Sequence, residues 1–224
     1  MTAPLIFEAV ALDDPHGGSV SLEVPGHQTL CIVGDGGSGV NRLAPIALGL
    51  ESPSVGRALV YGEDISRMPR AAALAFRRRV GYVPAGDGLL QNLSLWDNVA
   101  LPLRFGSTLS PREIHGRLRI MLAAVHLSER DWAMRPAMAN PEQQRRASLA
   151  RALAFDPDLV ILDHPFDGIG NRTAAHLLEI ARGGETAEGA RRALFITGQS
   201  VPEAVRSRIE VSCRLAKGRL TVDS

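Results

Sequence analysis

The chain has 224 residues, 45% of them hydrophobic and 22% charged, with a formal net charge of +1. That length and apolar content suit one large α/β domain or two small ones and exclude a disordered chain. The near-zero net charge gives no electrostatic case for nucleic acid or for a strong grip on a membrane surface.

Residues 5–12 (LIFEAVAL) and 19–24 (SVSLEV) read as strands separated by a turn-like run at 13–18. Residues 29–33 (TLCIV) form the short apolar run expected of a strand buried on both faces. That run leads straight into Gly34, Asp35, Gly36, Gly37, Ser38 and Gly39, and a helix follows to about Leu50. Residues 57–61 and 79–83 suggest further strands. Residues 110–127 and 142–155 carry apolar residues at three- and four-residue spacing and predict helices. Residues 159–163 (LVILD) read as another buried strand, 171–182 as a helix, 183–190 (GGETAEGA) as a flexible loop, 193–197 (ALFIT) as a strand and 201–207 as a helix. The end, 209–222, reads as a hairpin turning at Lys217 and Gly218, and Lys217 is the only lysine in the chain. Strands alternating with helices predict an α/β fold with a mostly parallel core sheet. Cys31 and Cys213 have no metal-ligand spacing and read as buried thiols of a reducing compartment. No signal peptide is read at the start, and the apolar runs fall short of the roughly 20 residues of a membrane helix. The expectation is a soluble, cytoplasmic chain whose membrane role, if any, comes through a partner.

Four segments carry a resemblance: the Gly-rich loop at 34–42, VGYVPAGDGLLQNLSLWDNVALPLR at 80–104, QQRRASLARALAFDPDLVILDHP at 143–165 and FITGQSVPEA at 195–204. Together they resemble the nucleotide-binding subunits of ABC transporters along nearly the whole chain, most specifically from Gln143 to Pro165. DHPFDGIG at 163–170 and the run Val201, Pro202, Glu203 resemble the ATPase subunits of Mce-type (Mla-like) lipid transporters. The resemblance implies an ABC ATPase-type P-loop fold: a mostly parallel core sheet, an N-terminal antiparallel β-subdomain and a helical subdomain. It implies one domain, with a RecA-like core at about 1–84 and 156–224 and the helical part at about 85–155. It also implies head-to-tail pairing with a second ABC subunit, as homodimer or heterodimer, around ATP. Docking would be under a membrane permease, peripheral on the cytoplasmic face of the inner membrane.

Against that pattern the site residues depart one after another. The phosphate-loop pattern G-x-x-x-x-G-K-[ST] reads Gly34 to Asn41 here, followed by Arg42. Gly34, Gly37, Ser38 and Gly39 keep a loop able to present backbone N–H groups. Val40 stands at the lysine position, so a charge-assisted hydrogen bond of roughly 1.5–3 kcal/mol is missing. Asn41 replaces the hydroxyl that would meet Mg²⁺, Asp35 adds a negative charge, and Pro45 falls about a turn into the helix. Arg42 is a nearby cation of undetermined direction. Ala85 stands where the family has a glutamine sensing the γ-phosphate. The signature L-S-G-G-Q is Ala139, Asn140, Pro141, Glu142, Gln143; Pro141 has no N–H to offer and Glu142 would repel phosphate. Asp163 keeps the Mg²⁺-coordinating position, with a structural acid as the alternative. His164 replaces the catalytic glutamate; a histidine can serve as a base near neutral pH, but a lone base adds little to phosphoryl transfer. Gly170 replaces an aspartate in the following loop, and Gly198 replaces the switch histidine.

Losses this correlated predict no catalytic residue (Val40, Ala85, His164 and Gly198 being the degenerate positions), no metal at the vestigial Asp163, and no cofactor beyond weakly held ATP and Mg²⁺. The vestigial signature is Asn140 to Gln143. The 85–104 segment keeps Leu89, Leu90, Leu93, Leu95 and Trp96. In the family this region forms the groove for a coupling helix of the permease, and ordinary core is the alternative. Three functional readings remain: a non-hydrolysing scaffold under a permease, in the Mce-type setting above; a subunit that binds or slowly hydrolyses ATP with unusual residues; and a soluble regulator that borrowed the fold. No nucleic-acid partner is expected.

Overall fold

The structure, a computed structural model, describes residues 3–12, 18–187 and 189–223. Strands β1 (Leu5–Ala11) and β2 (Ser19–Val24) precede β3 (Thr29–Gly34), α1 (Val40–Ala47), β4 (Arg57–Val60), α2 (Arg70–Arg77) and β5 (Val80–Val83). Four helices follow: α3 (Leu95–Gly106), α4 (Pro111–Ala124), α5 (Glu129–Trp132) and α6 (Pro141–Ala152). Then come β6 (Leu159–Asp163), α7 (Asn171–Arg182), β7 (Glu185–Thr186), β8 (Gly189–Ala190), β9 (Ala193–Gly198), α8 (Glu203–Arg206), β10 (Val211–Ala216) and β11 (Arg219–Val222). The expected turn at 13–18 falls almost wholly outside the described residues.

β1 pairs antiparallel with β2 and β4 in a three-stranded sheet. The larger sheet has the order β11-β10-β3-β9-β6-β5, parallel throughout except for β11 at its edge. β3, β6 and β9 are buried at every residue, because helices cover both faces and each strand is an unbroken apolar run. On the α1 face, Phe7 and Phe195 meet with ring centroids 5.4 Å apart. On the other face α7 and α8 lay Leu177, Leu178 and Val205 over Val160, Leu162 and Ile196. A third core lies among α3, α4 and α6, where Leu95, Val99 and Leu103 meet Ile114, Leu118 and Leu122. Their four-residue spacing puts each set on one helical face. Both cysteines are free and buried, and burial, with smaller contributions from Cys213 and Asp223, pushes the Cys31 thiol up to about 12. Among the described residues no helix is long and apolar enough to cross a membrane.

Two segments differ from the sequence expectation. Residues 183–190 are no plain loop: α7 ends at Gly183 in a left-handed cap (φ 75°), and β7 pairs with β8. Arg182 fixes this corner by binding the Glu185 and Glu210 carboxylates, the Thr29 hydroxyl and the Arg208 carbonyl. Residue 188 lies outside the described residues. The 85–104 segment, expected to line a groove, runs into the helix α3, capped by Ser94, whose Oγ accepts from Asp97 N–H at 3.0 Å. Most of its apolar side chains turn into the third core.

One polar contact joins the helical layer to α7. The rings of His126 and His176 stack with centroids 4.0 Å apart, and Arg146 donates to the His126 carbonyl at 3.0 Å. The His176 imidazole is held below its ordinary value of 6.5, first by burial and then by His126, Arg146 and Arg172, with Glu179 opposing. The unfolded chain therefore takes up a proton at a pH where the folded one still refuses it. This contribution is complete above about pH 6.5 and declines as the pH falls below it. We expect the urea midpoint to drop between about pH 7 and pH 5, and to drop less in His176→Phe.

Candidate functional site

Parallel strands bring the sequence-predicted positions together by register alone. Val33 pairs with Gly198, Asp163 with Thr197, and Val83 with Leu162. The loops after β3, β5, β6 and β9 thus emerge side by side at the carboxyl ends of one sheet, where open α/β folds place ligands.

The loop after β3 is held by its own groups. Ser38 donates both its N–H (2.9 Å) and its hydroxyl (2.6 Å) to the Asp35 carbonyl, and its Oγ accepts from Val40 N–H at 3.3 Å. Two glycines have packing reasons to be glycines: a Cβ at Gly34 would sit 2.4 Å from Ser38 Oγ, and one at Gly39 would sit 2.9 Å from Leu12 Cβ. Val40 is buried within the α1-face core, while Asn41, Asp35, Gly36 and Gly37 are exposed. Arg42 forms an ion pair with Glu51, beyond the far end of α1, so its charge is neutralised within the chain. Pro45 does lie inside α1.

After β5 the exposed Ala85 leads into Gly86, Asp87 and Gly88, three consecutive residues with positive φ (67°, 67° and 58°). Asp87 is buried and its Oδ1 lies 3.1 Å from Arg145 Nε of α6, also buried. The two charges are in contact, although neither atom is aligned for a hydrogen bond. Burial raises the Asp87 carboxyl above its ordinary value, with Arg145 and Arg151 pulling the other way.

At the signature position the helix caps itself. Asn140 accepts from Gln143 N–H and Gln143 Oε1 accepts from Asn140 N–H, each at 2.9 Å. With Pro141 at the first helical position, of the N–H groups from Asn140 to Gln143 only that of Glu142 escapes both fates. Gln143 also donates to Asp131 at 2.8 Å, and Glu142 lies 4.0 Å from Arg146.

Asp163 is buried and accepts the Thr197 hydroxyl at 2.6 Å. Its field adds to burial in pushing the Tyr82 phenol up to about 12. His164 sits in the left-handed region (φ 51°), donates its N–H to the Thr197 carbonyl at 2.9 Å, and places Nδ1 3.1 Å from Asp167. Gly198 is buried at the end of β9, with nothing nearer to a Cβ there than the Ser200 carbonyl at 3.7 Å.

Within the 85–104 segment the apolar residues expected to line a groove divide between core and surface. Leu89 and Leu95 are core, Leu93 and Trp96 are half-buried, and Leu90 stays exposed. A concavity of about 330 Å³ lies between α2, the end of α3 and α6, lined by Leu74, Tyr82, Phe105 and Phe155 with Pro102 of that segment, Arg77 and Arg78. Phe105 is 80% exposed. Sequence reasoning also missed Asp87, Arg145 and Thr197, whose partners lie on other segments, and Asp167, which meets His164 three residues earlier; the D-G pair at 87–88 was a local hint, as a turn signal.

The family model described as ABC transporter matches residues 18–167. The chain is 32% identical over 208 residues to the lipoprotein-releasing system ATP-binding protein LolD of Chromohalobacter salexigens, covering 92% of this chain and 85% of that one. It is 34% identical over 160 residues to the methionine import ATP-binding protein MetN 2 of Pseudomonas aeruginosa, covering 71% of this chain and 47% of that one. The chain thus spans about half of that importer subunit. Among solved structures it is similar to a bacterial ABC transporter cassette determined as a dimer, with a TM-score of 0.85, 22% identity, and coverage of 97% of this chain and 98% of that one.

Replacing Asn140 by Ala removes the acceptor for Gln143 N–H. We expect about 1 kcal/mol of lost stability in urea unfolding, with Asn140→Ser recovering most of it.

Proposed function

The chain belongs to the ABC transporter family, and on that premise we propose that it is a non-hydrolysing cassette subunit docked on the cytoplasmic side of a membrane permease, paired with a second cassette of its own or another kind. The observation that carries this reading is the start of α6, where N–H groups that could meet a phosphate are spent on Asn140 and Gln143 or absent at Pro141. The phosphate loop adds to it: Val40 is buried, and the nearby cation Arg42 is paired with Glu51. These residues do not fit Mg-ATP. Charge neutralisation and positioned donors are most of what phosphoryl transfer requires; this set lacks the first and, at the start of α6, much of the second.

The finer setting we propose is an Mce-type lipid transporter. Its support is the DHPFDGIG run at 163–170 and Val201, Pro202 and Glu203. A relative named for lipoprotein release is in keeping with a lipid-linked cargo. The part of the surface we assign to the permease is the groove beside the exposed Phe105.

A second reading, slow hydrolysis with His164 as base, draws on the Asp167 contact that orients the imidazole. Titration of the purified chain with Mg-ATP separates the two. The scaffold reading expects no saturable binding below about 1 mM, which corresponds to about −4 kcal/mol, and no turnover. Turnover abolished by His164→Ala would hand the case to the second reading. For docking, the chain is expected to co-purify with its genomic neighbours' membrane products, and Phe105→Ser to lower that yield severalfold. Recovery of soluble species alone would favour a regulator instead.

A further inference from the structure

The loop after β5 is tied to α6 more heavily than a connecting loop needs to be. Ser148, fully buried, donates its hydroxyl to the Asp87 carbonyl at 2.8 Å. Arg151 donates to the same carbonyl at 3.0 Å and to the Gly88 carbonyl at 2.8 Å. Arg145 sets its charge 3.1 Å from the Asp87 carboxylate. These three α6 residues are spaced at 145, 148 and 151, so one helical face grips two consecutive loop residues. Further along, Asn98 of α3, fully buried, accepts from Leu90 N–H at 2.7 Å and donates to the Leu90 and Ser94 carbonyls at 3.0 and 2.9 Å.

We propose that the loop from residue 84 to residue 94 is latched to α6 by the Asp87–Arg145 ion pair and its companion carbonyl bonds, so that the adjoining groove keeps one shape without help from a nucleotide. This rests on the scaffold reading for its purpose, but its physical content stands alone. Arg151 belongs to both parts: its guanidinium holds the Asp87 and Gly88 carbonyls and also lines the groove with Tyr82 and Phe105. A loop that moved would release the Arg151 guanidinium, the groove-lining side chain that its carbonyls hold. Separating Asp87 from Arg145 leaves an uncompensated charge in a buried setting, so the open form is strongly disfavoured. The three left-handed residues at 86–88 form the tight turn that aims the Asp87 side chain inward. With Ala85 at the start, the loop has no side chain there to read a phosphate.

Hydrogen exchange on the full chain tests this, with and without Mg-ATP. The wild type is expected to exchange slowly at the Asp87, Leu90 and Leu93 amides, which have acceptors within the chain, unchanged within about twofold on adding Mg-ATP. Asp87→Asn is expected to speed exchange there about tenfold or more while β6 and β9 amides stay as they were; tenfold corresponds to about 1.4 kcal/mol of opening free energy. If Asp87→Asn fails to fold, Ser148→Ala removes the hydroxyl donated to the Asp87 carbonyl with little change of volume, and faster exchange in the same loop is expected. Rapid exchange in the wild type, a loop that slows on adding Mg-ATP, or variants that leave 85–94 unchanged would each overturn the latch. ATP turnover measured on the same samples addresses the function separately. Turnover with a slow loop refutes the scaffold reading and leaves the latch standing, whereas a fast loop without turnover does the reverse.

Discussion

A helix that begins at a surface carries N–H groups in need of acceptors, and α6 finds its acceptors in its own first turn. Asn140 and Gln143 satisfy one another, and Pro141 removes a third donor from the account. The consequence reaches past the cap. A helix N-terminus attracts anions because its donors and its dipole are both unspent. Here two of the donors are spent and a third is missing, leaving the Glu142 N–H, beside which Glu142 adds a carboxylate. The same amide groups cannot serve both the helix and a phosphate, and in this chain they serve the helix.

That choice recurs around the sheet. Asp163, which could hold a cation through water, receives the Thr197 hydroxyl. Arg42 closes on Glu51, and Asp87 on Arg145. Each pairing turns a group that could face a ligand into one that braces two segments of the chain. The three cores around α1, α7 and α3 need none of these residues to be nucleotide-competent. The internal bonds at these positions thus serve the packing of the chain.

Most elements were legible because their apolar periodicity is strong. The buried strands 29–33, 159–163 and 193–197 announce themselves as short, mostly apolar runs and α4 as a three- and four-residue repeat, whereas α6 is mostly polar and carries its repeat only weakly. α3 was harder, since Pro102 and a dense apolar run obscure the helix that Ser94 and Asp97 begin. α2 gave no signal strong enough to read beyond its alanines. Residues 183–190 look like a loop because of their glycines, and only the distant Glu210 and Thr29, gathered by Arg182, make them a corner. At the site, losses such as Val40 and Pro141 are visible one residue at a time, because a missing cation or a missing N–H is a property of the side chain itself. Asp87–Arg145 and Asp163–Thr197 are invisible in the same way for the opposite reason: each is a property of two segments that meet only after folding.

Lys217 occupies the turn between β10 and β11, exposed and with φ 48°. β11 forms one edge of the six-stranded sheet and β5, beside the groove, forms the other. At about 4.8 Å per strand step, five steps put roughly 24 Å of sheet between them. Amine-directed chemistry therefore has one side chain to find, apart from any free α-amino group. A dye, bead or sensor surface coupled at that turn would be attached about that far from the groove edge of the sheet.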